Sequence, residues 1–203
     1  MKRTKIEAII KNQFKGKIFS YSDIIEKLSK KKIIASRSTI IRALKNLKEK
    51  NKINLVRDRK KGLYYIPTPS EFGLLKPRDG VIQRKILKNK LYYVTGIALY
   101  NQLNLTTQYP RVIRVAILGN KYTKKITVLN VRIKTVVPRC SFKPEDIKYL
   151  QYLDALNLKR IPDLSSDSIS ILRKNIKKMD KRKLIKISDS YPPRVRALLG
   201  ALI

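Results

Sequence analysis

The chain has 203 residues, with 48 Lys+Arg against 14 Asp+Glu, a formal net charge of +34 and no histidine. One cysteine, Cys140, and no His exclude a Cys/His zinc site within one chain and the Ser-His-Asp and Cys-His nucleophilic devices. Leu, Ile, Val and Phe make up 65 of the 203 residues, so the chain can bury a core despite a charge that suits a polyanion.

Residues 1–66 carry 20 Lys+Arg and 5 acids and read as three short helices and a hairpin. Ile6, Ile9, Ile10 and Phe14 recur at helical spacing, and Gly16 follows as a stop. Ser20-Tyr21-Ser22-Asp23 is a capping box that opens a second helix, expected to bury Ile24, Ile25 and Leu28. A basic turn, Lys30-Lys31-Lys32, leads to a second cap at Ser36 and a third helix over residues 37–50. Ile53 to Arg57 and Leu63 to Ile66 are β-prone runs around a turn at Asp58-Arg59-Lys60-Lys61-Gly62, which predicts a hairpin. Three helices ending in a basic-tipped hairpin are the layout of a winged helix-turn-helix.

The third helix separates into two faces. At 100° per residue, Leu44 and Leu47 fall within about 40° of Ile40, while Ser38, Arg42 and Lys45 fall at about 160°, 200° and 140°. The first stripe faces a core; the second starts at the helix N-terminus, where recognition helices meet base edges. Ser36, Arg37, Ser38, Thr39 and Arg42 are the candidate DNA-reading residues, with Lys45 on phosphate and Arg59, Lys60 and Lys61 at the hairpin tip reaching an adjacent groove or backbone. Ile41 lies between the faces, as core rim or as a contact to a thymine methyl.

Pro67-Thr68-Pro69-Ser70 predicts a linker at 67–70, since two prolines break a continuing element. Residues 67–143 hold 15 Lys+Arg and 2 acids, and residues 144–203 hold 13 and 7. A helix is predicted over 81–87, a strand over 90–94, and a short helix after Thr95-Gly96. Residues 111–118, 124–129 and 131–137 are β-rich, and their alternation suggests a half-exposed antiparallel sheet. Tyr92, Tyr93, Tyr100 and Tyr109 either stack on bases or cover a core. From Pro144 the chain turns helical, with Ile147, Leu150, Leu153 and Leu156 as a buried face. Further helices are expected over 168–179, 181–187 and 194–203, the last ending almost wholly apolar, either packed on its own domain or open to a partner.

The fold class expected is therefore α+β: an N-terminal winged helix-turn-helix over 1–66, then a mixed α/β domain over 71–203 with a small antiparallel sheet and C-terminal helices. No phosphate-cradling glycine string occurs among the seven glycines. No catalytic residue, cofactor or metal is expected. No apolar run approaches the ~20 residues of a membrane span, so no membrane association is expected, and the single cysteine makes a cytoplasmic setting the default.

Three stretches carry a family resemblance. Ser36 to Ile66 runs into Ser70-Glu71-Phe72-Gly73; Thr95-Gly96 opens a helix running to Leu103-Asn104-Leu105-Thr106-Thr107-Gln108-Tyr109-Pro110; and the chain closes on Tyr191-Pro192-Pro193-Arg194-Val195-Arg196-Ala197-Leu198-Leu199. Together these resemble AbiEi-family antitoxins, with Asn104 where the family usually has glycine and Val115-Ala116-Ile117-Leu118-Gly119 where Leu-Thr-Asp-Gly is common. The resemblance implies an antitoxin of a type IV toxin–antitoxin or abortive-infection system, active in phage defence. Its winged domain would repress its own operon by binding double-stranded promoter DNA with repeats, and its C-terminal domain would neutralise a cognate nucleotidyltransferase-like toxin. The oligomeric state stays open. The alternative is an RNA-binding or ribosome-associated basic protein, which has the same need for positive charge; against it, no RNP or G-x-x-G signature appears.

Overall fold

The computed structural model describes residues 2–49, 56–58, 62–71, 73–75, 78–129, 131–158 and 165–203. It is a mixed α+β fold that divides into two compact units, one of residues 1–86 with 128–130 and the other of residues 87–127 with 131–203.

The first unit begins with α1 (Lys2–Gln13), β1 (Ile18–Ser20), α2 (Tyr21–Lys30) and α3 (Arg37–Glu49). It continues with β2 (Val56–Asp58), β3 (Leu63–Tyr65), β4 (Thr68–Ser70), β5 (Gly73–Leu75) and α4 (Asp79–Ile86). Three helices meet because each has one apolar stripe. Ile6, Ile9 and Ile10 of α1, Ile24 and Leu28 of α2, and Ile40, Ala43, Leu44 and Leu47 of α3 form one core with Phe14, Phe19, Tyr64 and Ile66. Phe19 stacks between Phe14 and Tyr64, with ring centroids 4.5 and 5.6 Å away. Ile25 departs from expectation and is 43% exposed. It sits one residue past Ile24, about 100° round the helix, whereas Leu28 returns to the Ile24 stripe.

The sheet of this unit has the order β1-β3-β2, both pairs antiparallel. Every residue of β3 is buried because it is the central strand. Strand β1 is not among the elements expected from the sequence; it adds Ile18 and Phe19 to the core and leads directly into the α2 capping box. Gly16 makes this entry possible. Its φ is +69°, its amide donates to the Ile66 carbonyl at 2.9 Å, and a Cβ there would stand 2.8 Å from Thr68 Oγ1. The expected linker at 67–70 instead contains β4, which pairs antiparallel with β5, and the division between the compact units falls after Ile86. Pro69 tolerates strand geometry because a two-stranded sheet has edges where a missing N–H goes unnoticed. Of the expected hairpin, residues 51–55 and 59–61 lie outside the described residues, and Asp58, expected in the turn, belongs to β2.

The second unit holds β6 (Tyr92–Thr95), α5 (Ile97–Gln102), β7 (Ile113–Ile117), β8 (Lys124–Val128) and β9 (Val131–Val136). A 3-10 turn over Pro144–Asp146 precedes α6 (Ile147–Leu158), α7 (Ser166–Ile176), α8 (Lys181–Ser188) and α9 (Pro193–Leu202). Its sheet has the order β6-β7-β9-β8. The antiparallel sheet expected here is in fact mixed: β6 and β7 are antiparallel, but β7 and β9 are parallel. Strand β8 follows β7 in sequence yet lies outside β9, so β9 slots between them. Alternation of apolar residues reports which face is buried and carries no information on strand direction.

Asn104 has φ +57°, the left-handed region where glycine or asparagine serves best. The Leu105 amide donates to Tyr100 O at 2.8 Å and the Asn104 amide to Asn101 O at 3.1 Å, a Schellman closure of α5. Asparagine is one of the few residues besides glycine that meet this backbone demand. Leu150, Leu153 and Leu156 of α6 are buried as expected, while Ile147 is only half-buried; in the final helix Val195, Leu198 and Leu199 are buried and Ile203 is exposed.

Candidate nucleic-acid interface

Helix α3 is held at both ends. At its start the Ser36 hydroxyl accepts from the Thr39 amide at 3.3 Å and is hydrogen-bonded with the hydroxyls of Ser38 and Thr39 at 2.9 and 2.8 Å. Ser36 is therefore the N-cap, satisfying one of the helix's orphan donors. Towards its C-terminus, Asn46 Nδ2 donates to Glu7 Oε1 of α1 at 2.6 Å, and Arg3 lies 3.6 Å from the same oxygen. Glu7 is 8% exposed, so this polar pair fixes the rotation of α3 on α1 from inside the fold.

With the Ile40 stripe buried, the opposite face is exposed. Arg37, Ser38, Arg42 and Lys45 all reach solvent, with Thr39 half-buried at their edge. Ile41 is 47% exposed and lies at the margin of this face, within reach of whatever meets it. The guanidinium of Arg37 stands 5.8 Å from the Tyr21 ring centroid, which restrains its direction. Lys45 pairs with Glu49 at 3.5 Å, an exposed pairing that water and salt weaken. Arg42 makes no ion pair among the described residues. Arg59, Lys60 and Lys61 lie outside the described residues.

The turn before α3 adds cations beyond those expected from the sequence. Lys31 and Lys32 are exposed, and Lys32 has φ +54°. The Ile33 amide donates to Leu28 O at 2.9 Å and the Lys32 amide to Ser29 O at 2.9 Å. This is a Schellman closure of α2 with lysine where glycine is cheapest. The signal is present as Lys30-Lys31-Lys32, but a charge run alone does not reveal a left-handed residue. The tyrosines divide: Tyr93 and Tyr100 are buried and closed to stacking, Tyr92 is half-buried, and Tyr109 is 73% exposed.

No metal-holding cluster of His, Cys, Asp or Glu occurs among the described residues, and no described helix is long and apolar enough to cross a membrane. No family model and no curated protein matches the chain. Among solved structures the chain is similar to the crystal structure of the RV2827C protein from Mycobacterium tuberculosis, at 13% identity and a TM-score of 0.55. The likeness covers 98% of this chain and 74% of that one. What the two share is the α+β fold.

Proposed function

We propose that this chain is a DNA-binding repressor of its own operon and the antitoxin of a toxin–antitoxin pair. The observation that carries the DNA-binding part is α3: one face locked into the core, the other presenting Arg37, Ser38, Arg42 and Lys45 from a capped N-terminus. The element order α1-β1-α2-α3-β2-β3, with β3 between β1 and β2, supports reading the first unit as a winged helix-turn-helix. In that reading Arg42 reads a base edge, Ser36, Ser38 and Thr39 approach the groove at the helix start, and Lys45 takes phosphate. Arg59, Lys60 and Lys61 act as the basic wing tip. The antitoxin part rests on the resemblance of the Thr95-Gly96, Leu103-to-Pro110 and Tyr191-to-Leu199 stretches to AbiEi-family antitoxins, and assigns toxin neutralisation to residues 71–203.

Fluorescence anisotropy on DNA from upstream of the operon tests the first part. Arg42→Ala costs about 1–3 kcal/mol on that DNA and little on a shuffled duplex. Equal loss on both refutes base reading, and tighter binding to RNA than to either duplex at matched salt overturns the DNA assignment. Replacing Arg59, Lys60 and Lys61 by Ala weakens all duplexes alike and flattens the salt dependence by about 0.9 for each phosphate they neutralise. For the second part, co-expression with a neighbouring nucleotidyltransferase-like gene product restores growth; unrelieved toxicity refutes it.

A further inference from the structure

The mixed sheet of the second unit presents one face only partly covered. Its register places Thr95, Arg114 and Lys134 in one row across β6, β7 and β9, and Tyr93, Ala116 and Val136 in the next. Helix α6 covers the β6 side, where Gln151 Nε2 donates to the Val94 carbonyl at 3.3 Å and Thr95 Oγ1 to Asp154 Oδ2 at 2.5 Å. Beyond α6 the face opens into a cavity of about 460 Å³. Its floor is the sheet, and its walls are Asp154, Asn157 and Leu158 of α6 and Val137, Pro138 and Arg139 after β9. That volume falls within the range of small-ligand clefts, roughly 300–1,000 Å³.

The charges in this cavity are unbalanced. Among the described residues Asp154 is its one acidic group, 9% exposed, and both oxygens are committed: Oδ2 to Thr95 and Oδ1 to the Tyr191 hydroxyl at 2.8 Å. Arg114 and Arg139 line the same space, and Lys134 adjoins Arg114 in register. The Arg114 side chain makes no hydrogen bond or ion pair among the described residues. Gly96 makes room for it: a Cβ there would stand 3.1 Å from Arg114 Cδ, and with φ +72° this position resists any other residue. Asn157 Oδ1 accepts from Arg194 at 3.0 Å, which leaves its Nδ2 as a donor. Ala116, Val136, Pro138 and Leu158 supply apolar surface between the polar groups.

We propose that this cavity is a binding site for a phosphorylated small molecule of nucleoside-monophosphate size, its phosphate held between Arg114 and Arg139. Two guanidiniums with planar donor forks suit phosphate oxygens. The apolar strip takes a ring, and Asn157 Nδ2 donates to its edge. A concavity of this volume suits a small ligand, whereas a nucleic-acid strand needs an extended track. The inference goes beyond the DNA-binding reading and stands independently of it.

Isothermal titration of the full chain at about 0.15 M salt tests it, with the four nucleoside 5′-monophosphates, their nucleosides, succinate and a short single-stranded RNA as probes. At least one monophosphate binds saturably at one site per chain, with its nucleoside and succinate at least tenfold weaker. Arg114→Ala and Arg139→Ala each weaken that monophosphate at least tenfold without altering thermal unfolding. Lys178→Ala, an exposed lysine outside the cavity, and Arg42→Ala on α3 leave it unchanged. The proposal is overturned if no monophosphate saturates at millimolar concentration, or if the RNA alone shows the Arg114 dependence. It is equally overturned if succinate binds as tightly, or if Lys178→Ala weakens binding as much as the arginine variants do.

Discussion

Asp23 does two jobs at once, and removing it measures both. The Ser20 amide and hydroxyl each donate to Asp23 Oδ2 at 2.6 Å, and the Asp23 amide donates back to Ser20 Oγ at 3.4 Å. Lys85 of α4 reaches the same oxygen at 2.5 Å, with both side chains about 20% exposed. Losing the cap is worth about 1 kcal/mol. The ion pair lies between the exposed case, about 0–1 kcal/mol, and the buried case, where removing one partner costs about 3–5 kcal/mol; about 1–2 kcal/mol suits its partial burial. Asp23→Ala therefore destabilises the first unit by about 2–3 kcal/mol in urea unfolding, and Asp23→Asn, which keeps an acceptor for Ser20, by about half that. The gap also depends on pH. Burial pushes the Asp23 carboxyl up, but the Lys85 ammonium and the Ser20 donors outweigh it and hold it below its ordinary 3.8. A carboxyl lowered in the fold contributes fully above its unfolded value and loses that contribution as pH falls through its folded value. The gap between wild type and Asp23→Ala is thus full at neutral pH and narrows only below 3.8. A difference under about 0.5 kcal/mol, or one that stays constant into strong acid, refutes this reasoning.

Three further outcomes follow from local geometry. Lys32→Gly relieves a left-handed residue and stabilises the fold by about 0.5–1 kcal/mol after the entropy of glycine is set against it; a fall in stability in urea unfolding contradicts this. Leu44→Ala empties a position only 4% exposed and costs about 2–5 kcal/mol, whereas Arg42→Ala leaves the unfolding midpoint unmoved, so thermal melts separate core from reading face. Burial pushes the Asp154 carboxyl above its ordinary 3.8, against the opposing pull of Thr95 and Tyr191. Folding therefore favours the protonated form over the charged one, and wild type loses stability relative to Asp154→Asn as pH rises above 3.8; the opposite slope in urea titrations at stepped pH is the refuting result.

The three N-terminal helices are legible in the sequence because helical spacing of large apolar residues reports a buried stripe directly, as Ile40, Leu44 and Leu47 illustrate. Strand β1 is not, since three residues are too few to show a period and Ile18-Phe19 gains its partner only when Leu63–Tyr65 arrives. The β4–β5 pair hides behind two prolines that read as a break, although Pro69 pairs opposite Leu74. On the candidate reading face the exposed set, Arg37, Ser38, Arg42 and Lys45, is legible from the helical wheel. The tether of Arg37 to Tyr21 is not, because it depends on how α2 meets α3. The cavity of the second unit escapes altogether: Tyr93, Arg114, Arg139 and Asp154 are brought together by sheet register and helix packing, which no local pattern encodes.

The hydroxyls around Asp154 come from distant parts of the chain, Thr95 on β6 and Tyr191 just ahead of α9. During synthesis the sheet and α6 emerge well before Tyr191 does. Until it arrives, Asp154 Oδ1 lacks the Tyr191 hydroxyl, and an unsatisfied buried acceptor costs about 1–3 kcal/mol. The segment leading into α9 is in this sense a latch: its docking completes a polar junction begun some hundred residues earlier and makes the second unit's folding contingent on it.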